Sequence, residues 1–88
     1  LRKTPISSDA KHYVNSDLIS VILKPDSSPV KRLKQLAEEK GILLNASSGH
    51  KTRSVLVLST GQVVLTALQS SAVKKRIYDL EELVRQNL

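Results

Sequence analysis

Apolar positions along this chain fall into six runs with two different periods. Leu18-Ile19-Ser20-Val21-Ile22-Leu23 is short, β-branched and almost wholly apolar, which predicts a buried strand. Val30, Leu33, Leu36 and Ala37 follow the three-and-four spacing of one helix face. Ser28 before Pro29 reads as an N-cap followed by proline at the first helical position. Gly41, just after Lys40, stands where a left-handed C-cap belongs, so a helix is predicted over 29–40. Ile42-Leu43-Leu44 predicts a short strand. The runs 52–59 and 62–68, separated by Thr60-Gly61, predict a hairpin. Val73, Ile77, Leu80, Leu83 and Val84 form a second helical stripe, capped by Ser70 or Ser71 and running from about 71 to 86. Residues 1–11 are polar and carry no period, and they read as a flexible arm or loop ahead of a single domain over 12–88. His12 to Asn15 could form an earlier strand or its approach. The class is therefore α+β, with a small antiparallel sheet and two helices.

Both faces of Val55-Leu56-Val57-Leu58 and of Val63-Val64-Leu65 are apolar, whereas a sheet with one solvated side alternates. Either the helices wrap both sides of the sheet, or a second copy of the chain covers one side. A chain of 88 residues buries only about 60–65% of the surface it exposes when unfolded, so its own core is modest. Cysteine is absent and the two histidines lie far apart, which removes disulfides and argues against a metal site. Self-association is the economical expectation. No apolar run approaches the ~20 residues of a membrane span, and no signal-peptide pattern is visible, so the setting expected is cytoplasmic.

Charge directs the functional reading. Lys and Arg number 14 against 8 Asp and Glu, a net charge of +6, which suits nucleic acid or an anionic surface. The cations fall into three clusters: Lys31, Arg32 and Lys34 on the first helix, His50, Lys51 and Arg53 after Gly49, and Lys74, Lys75 and Arg76 early in the second helix. Cations in a helix's first turn oppose its dipole, and a bound anion would explain them as well as a solvated face would. Lys51 and Arg53, two apart in a predicted strand, share a face beside a glycine turn and make a candidate phosphate clamp. The alternative is a charged edge strand protected from aggregation. The third cluster reads as a solvated face, with Lys75 and Asp79 spaced to pair.

Catalytic spacings, Walker glycines and cofactor signatures are absent. Ser47 and Ser48 beside Gly49-His50 lack the strand–Ser–helix elbow of a hydrolase. With two tyrosines and no Phe or Trp, a stacking platform for single strands is not available, and duplex DNA becomes the expected nucleic acid.

The segments Leu-Ile-Ser-Val-Ile (18–22), Pro25 to Arg32, Gly41-Ile42-Leu43-Leu44-Asn45-Ala46, Gly49-His50-Lys51-Thr52-Arg53 and Gly61 to Leu68, in this order and spacing, give the chain a family likeness. It resembles the RemA family of bacterial DNA-binding regulators of extracellular-matrix (biofilm) genes. The resemblance implies a ring-like homo-oligomer of small α+β protomers, DNA wound or bent along its basic surface, transcriptional regulation and no catalysis. The family's Gly-Arg-Arg-Thr-Arg turn corresponds to Gly49-His50-Lys51-Thr52-Arg53, which places its DNA-contacting pair on His50 and Lys51. The family's N-terminal glycine-rich segment has no counterpart in residues 6–11, and Asp17 or Leu18 stands where the family carries an arginine. Two functions are therefore expected of different classes. One is a DNA-binding oligomer using His50, Lys51 and Arg53, helped by Lys31, Arg32 and Lys34. The other is a structural or protein-interaction oligomer that has lost DNA.

Overall fold

The computed structural model describes residues 3–7 and 11–86. Its elements in chain order are β1 (Lys3–Pro5), β2 (Tyr13–Asn15), a single 3-10 turn (Ser16–Leu18), β3 (Ile19–Leu23), α1 (Ser28–Glu39), β4 (Leu43–Asn45), β5 (Ser54–Leu58), β6 (Val63–Thr66) and α2 (Ser70–Gln86). The main sheet has the order β3-β5-β6-β4, and β1 and β2 form a separate ladder. The fold is α+β, with both helices close to their predicted positions.

The hydrophobic pattern resolves into a layered arrangement. On one face of the sheet, Val55, Val63 and Leu65 pack with Val30 and Ala37 of α1, joined by Leu33, Ile42 and Leu43. On the other face, Leu56, Leu58 and Val64 pack with Val73 and Ile77 of α2 and with Ile6 and Val14 from the β1–β2 region. The doubly apolar hairpin is thus covered on both sides within one chain. The inference of self-association from that hairpin loses its basis, because α1 and α2 lie on opposite faces rather than on the same one.

Local chemistry explains the element ends. Ile42 N–H donates to Ala37 O at 2.9 Å and Gly41 N–H to Glu38 O at 3.1 Å, with Gly41 at φ 71°. That is a complete Schellman motif, and Ile42 packs in the same cluster as Ala37. At the other end, Ser27 rather than Ser28 is the N-cap, its side chain makes no capping bond, and Pro29 occupies the second helical position. Ser70 is likewise the first residue of α2 rather than its cap. The β5–β6 hairpin closes over Ser59-Thr60-Gly61, with Gly61 N–H to Leu58 O at 2.9 Å, Leu58 N–H to Gln62 O at 2.9 Å and Gly61 at φ 94°. This is a three-residue loop with a left-handed glycine rather than a two-residue turn.

Three features differ from the sequence expectation. The sheet is mixed rather than antiparallel, because β4 runs parallel to β6. The 18–23 run is not a buried strand. Residues 19–23 form the half-exposed edge β3, with a register shift between Ile19 and Val21. Within the stretch read as a loose arm, Lys3–Pro5 pair with β2, while Thr4, Ile6 and Ser7 are buried. This segment is held from outside: the Thr66 hydroxyl donates to Ile6 O, and Arg76 Nη1 donates to Pro5 O at 3.1 Å. Residues 1, 2 and 8–10 of the predicted arm lie outside the described residues.

Candidate nucleic-acid interface

The 45–53 segment is built from its turn outward. Asn45 Oδ1 accepts from Ser47 N–H at 3.0 Å and from the Ser47 hydroxyl at 2.6 Å. Ala46 N–H is fixed to Leu65 O at 2.8 Å. His50 N–H then closes a tight turn onto Ser47 O at 3.0 Å, with Ser48 at φ 55° and Gly49 at φ 81°. Two successive positive φ values are the mark of a type I′ turn, which glycine enters freely and serine only at a cost. His50 and Lys51 leave this turn exposed.

From Lys51 the chain runs extended into β5. The strand itself begins only at Ser54, so the predicted strand start at Thr52 is early by two residues. The sidedness nevertheless holds. Lys51 and Arg53 are exposed, Thr52 between them is half-buried and Ser54 is fully buried. Arg53 is also fixed at its backbone, donating its N–H to Thr66 O at 2.8 Å.

Lys51 and Arg53 share an open groove of about 520 Å³ with Lys24, Pro25, Asp26 and Lys74, alongside Thr52, Gln69, Ser70 and Ser71. Four cations from three separate segments thus face one carboxylate, Asp26. A smaller hollow of about 270 Å³ adjoins it, lined by His50, Lys51, Arg53, Ala67 and Leu68. The second sequence cluster is therefore brought together as expected. The first is not: Lys31, Arg32 and Lys34 line neither depression, since α1 covers the opposite side of the hairpin with Val30 and Ala37. The third cluster divides. Lys74 enters the groove, Lys75 is exposed elsewhere on α2, and Arg76 is engaged with Pro5.

Sequence reasoning missed Lys24 and undervalued Lys74. Neither is near Lys51 in the chain, and no periodicity links them. The one available signal is that Lys24 directly follows β3, the strand paired to β5, so it arrives beside the residues that enter β5: Leu23 pairs with Val55.

The arrangement offers positive charge on fixed backbone. Among the described residues, no group of three or more His, Cys, Asp or Glu is placed to hold a metal ion. No helix among them is long and apolar enough to cross a membrane.

These features define a small α+β protein that displays a basic groove beside a glycine turn. The RemA-like family profile, described as extracellular matrix regulatory protein A-like, matches residues 7–77. Curated relatives bear the name "Putative regulatory protein". One from Caldicellulosiruptor saccharolyticus is 38% identical over 71 residues, covering 81% of this chain and 70% of the relative. One from Geobacillus sp. (strain WCH70) is 37% identical over 72 residues, covering 82% and 83%. A third, from Kosmotoga olearia, is 35% identical over 79 residues, covering 85% and 80%. The chain belongs to the RemA-like family of regulatory proteins. The family and these names indicate regulation rather than enzymatic activity.

Proposed function

We propose that this chain is a DNA-binding transcriptional regulator that acts as a ring-like homo-oligomer in the bacterial cytoplasm. It holds duplex DNA through phosphate contacts from His50, Lys51 and Arg53, with Lys31, Arg32 and Lys34 as an additional basic surface. The observation that carries this reading is the exposure of Lys51 and Arg53 on one side of a backbone anchored at both ends, by Ala46 to Leu65 and by Arg53 to Thr66. Cations so placed lose little backbone freedom when they meet a phosphate, and phosphate contacts supply most sequence-tolerant affinity for DNA. Self-association draws support from exposed apolar residues beyond the covered hairpin faces: Val21 on β3, Leu44 on β4 and Tyr78 on α2.

A second reading, an interaction oligomer without DNA, rests on Asp17. This exposed acid lies in the 3-10 turn, at or beside the position where the family carries an arginine. Electrophoretic mobility shift with duplex DNA at low and raised salt separates the two. Retardation at low salt that disappears at high salt supports the regulator. Free DNA at all salt concentrations, with the protein folded and oligomeric, supports the alternative.

A further inference from the structure

The groove at the start of α2 has a wall that the turn cluster does not explain. Lys24 directly follows β3 and Lys74 comes from the first turns of α2, and both are exposed. They face the same open space as Lys51 and Arg53, across a floor that includes Thr52, Ser70 and Ser71. Gathering four like charges around one cavity is unfavourable unless something negative shares it. Asp26 supplies one such charge, which leaves the groove strongly positive.

We infer that Lys24 and Lys74 bind a backbone phosphate of their own, beyond those held by Lys51 and Arg53. The inference rests on the reading of the chain as a DNA-binding protein and extends its footprint from the glycine turn to the α2 side of the groove. Duplex DNA presents, on each strand, a negative charge about every 3.4 Å of helix axis, so a groove wide enough for four basic side chains can meet more than one. The geometry favours this. Leu23, next to Lys24, is paired to Val55, and the Ser54 hydroxyl donates to Leu68 O at 2.6 Å. The two ends of the groove are thereby tied to the same strand that Arg53 enters. The opening amides of α2, at Ser70 and Ser71 on the groove floor, add donors that are left over from the helix's own hydrogen bonding.

The test compares the salt dependence of duplex DNA binding in three proteins. These are the wild type, the K24Q/K74Q variant, and a K3Q/K40Q variant that loses the same charge at exposed positions lining neither depression. A second measurement titrates each protein with inorganic phosphate and follows backbone amide signals by nitrogen–proton correlation spectra. The inference expects the slope of log affinity against log salt to become shallower by about 0.9 in K24Q/K74Q and to change less in K3Q/K40Q. It also expects phosphate to shift the Ser70, Ser71 and Lys24 amides in the wild type but not in K24Q/K74Q. DNA binding with an unchanged slope in K24Q/K74Q overturns the inference and leaves the DNA-binding reading standing. Phosphate shifts at the groove without any DNA binding overturn that reading and keep the groove as an anion site. Neither DNA binding nor phosphate shifts at these amides overturns both.

Discussion

The hydroxyl of Ser54 lies 3.4 Å from that of Ser70, across the junction where β5 begins and α2 begins. Ser54 is fully buried and also donates to Leu68 O at 2.6 Å. It joins the strand that Arg53 leads into to the helix that carries Lys74. Replacing Ser54 with alanine leaves the Leu68 carbonyl without this donor. We expect a loss of about 1–3 kcal/mol, read from the midpoint of denaturant unfolding at constant slope. A midpoint equal to wild type would show that the junction is held by other contacts.

Gly41 tests the helix stop independently. Its φ is 71°, and a Cβ added there meets no heavy atom within 4 Å. The cost of Gly41→Ala is then purely conformational, about 1–2 kcal/mol, with both cores unchanged. Chemical denaturation measures it. A stability equal to wild type would mean that the Schellman turn relaxes freely into another conformation.

These two sites also illustrate what the sequence discloses. The Gly41 stop and the stripe Val30, Leu33, Ala37 are local signals, and α1 was legible from them. The hairpin was legible for the same reason, since Val55 to Leu58 and Val63 to Leu65 are adjacent in the chain. The β1–β2 ladder was not. Each strand has only three residues, and what fixes Lys3–Pro5 is Thr66 and Arg76, which are remote in sequence. The parallel pairing of β4 with β6 was equally hidden, because three apolar residues carry no period and no direction. At the candidate site, His50, Lys51 and Arg53 announced themselves as neighbours. Lys24 and Lys74 reach them only through the β3–β5 pairing and the docking of α2. Residue type alone could not separate Lys74 from Arg76, one lining a groove and the other bonded to a carbonyl.

Self-association is a separate expectation. Both hairpin faces are satisfied within the chain, yet Leu44 is 48% exposed on an edge strand and Tyr78 is 61% exposed on α2. Apolar surface of this kind marks interfaces when it is contiguous. Size-exclusion chromatography with light scattering at micromolar protein should give a mass well above the 9.7 kDa of one chain. A mass near that value would remove the ring from the account.

His50 stands where the family resemblance places a permanent cation, at the exposed exit of the type I′ turn. His50→Arg should tighten duplex binding and steepen the salt slope by up to about 0.9, the value of one full charged phosphate contact. Fluorescence anisotropy across a salt series checks it. Unchanged affinity and slope would place position 50 outside the contact surface.

The central claim is that the turn-to-β5 segment grips phosphate. Lys51 and Arg53 are both exposed, so replacing them together with alanine should leave the fold intact, which circular dichroism can verify. The decisive measurement is the slope of log affinity for duplex DNA against log salt, in the wild type and in K51A/R53A. The account predicts a slope shallower by about two units and weaker binding at every salt concentration. A folded double variant with the wild-type slope would contradict it and take the segment off the DNA.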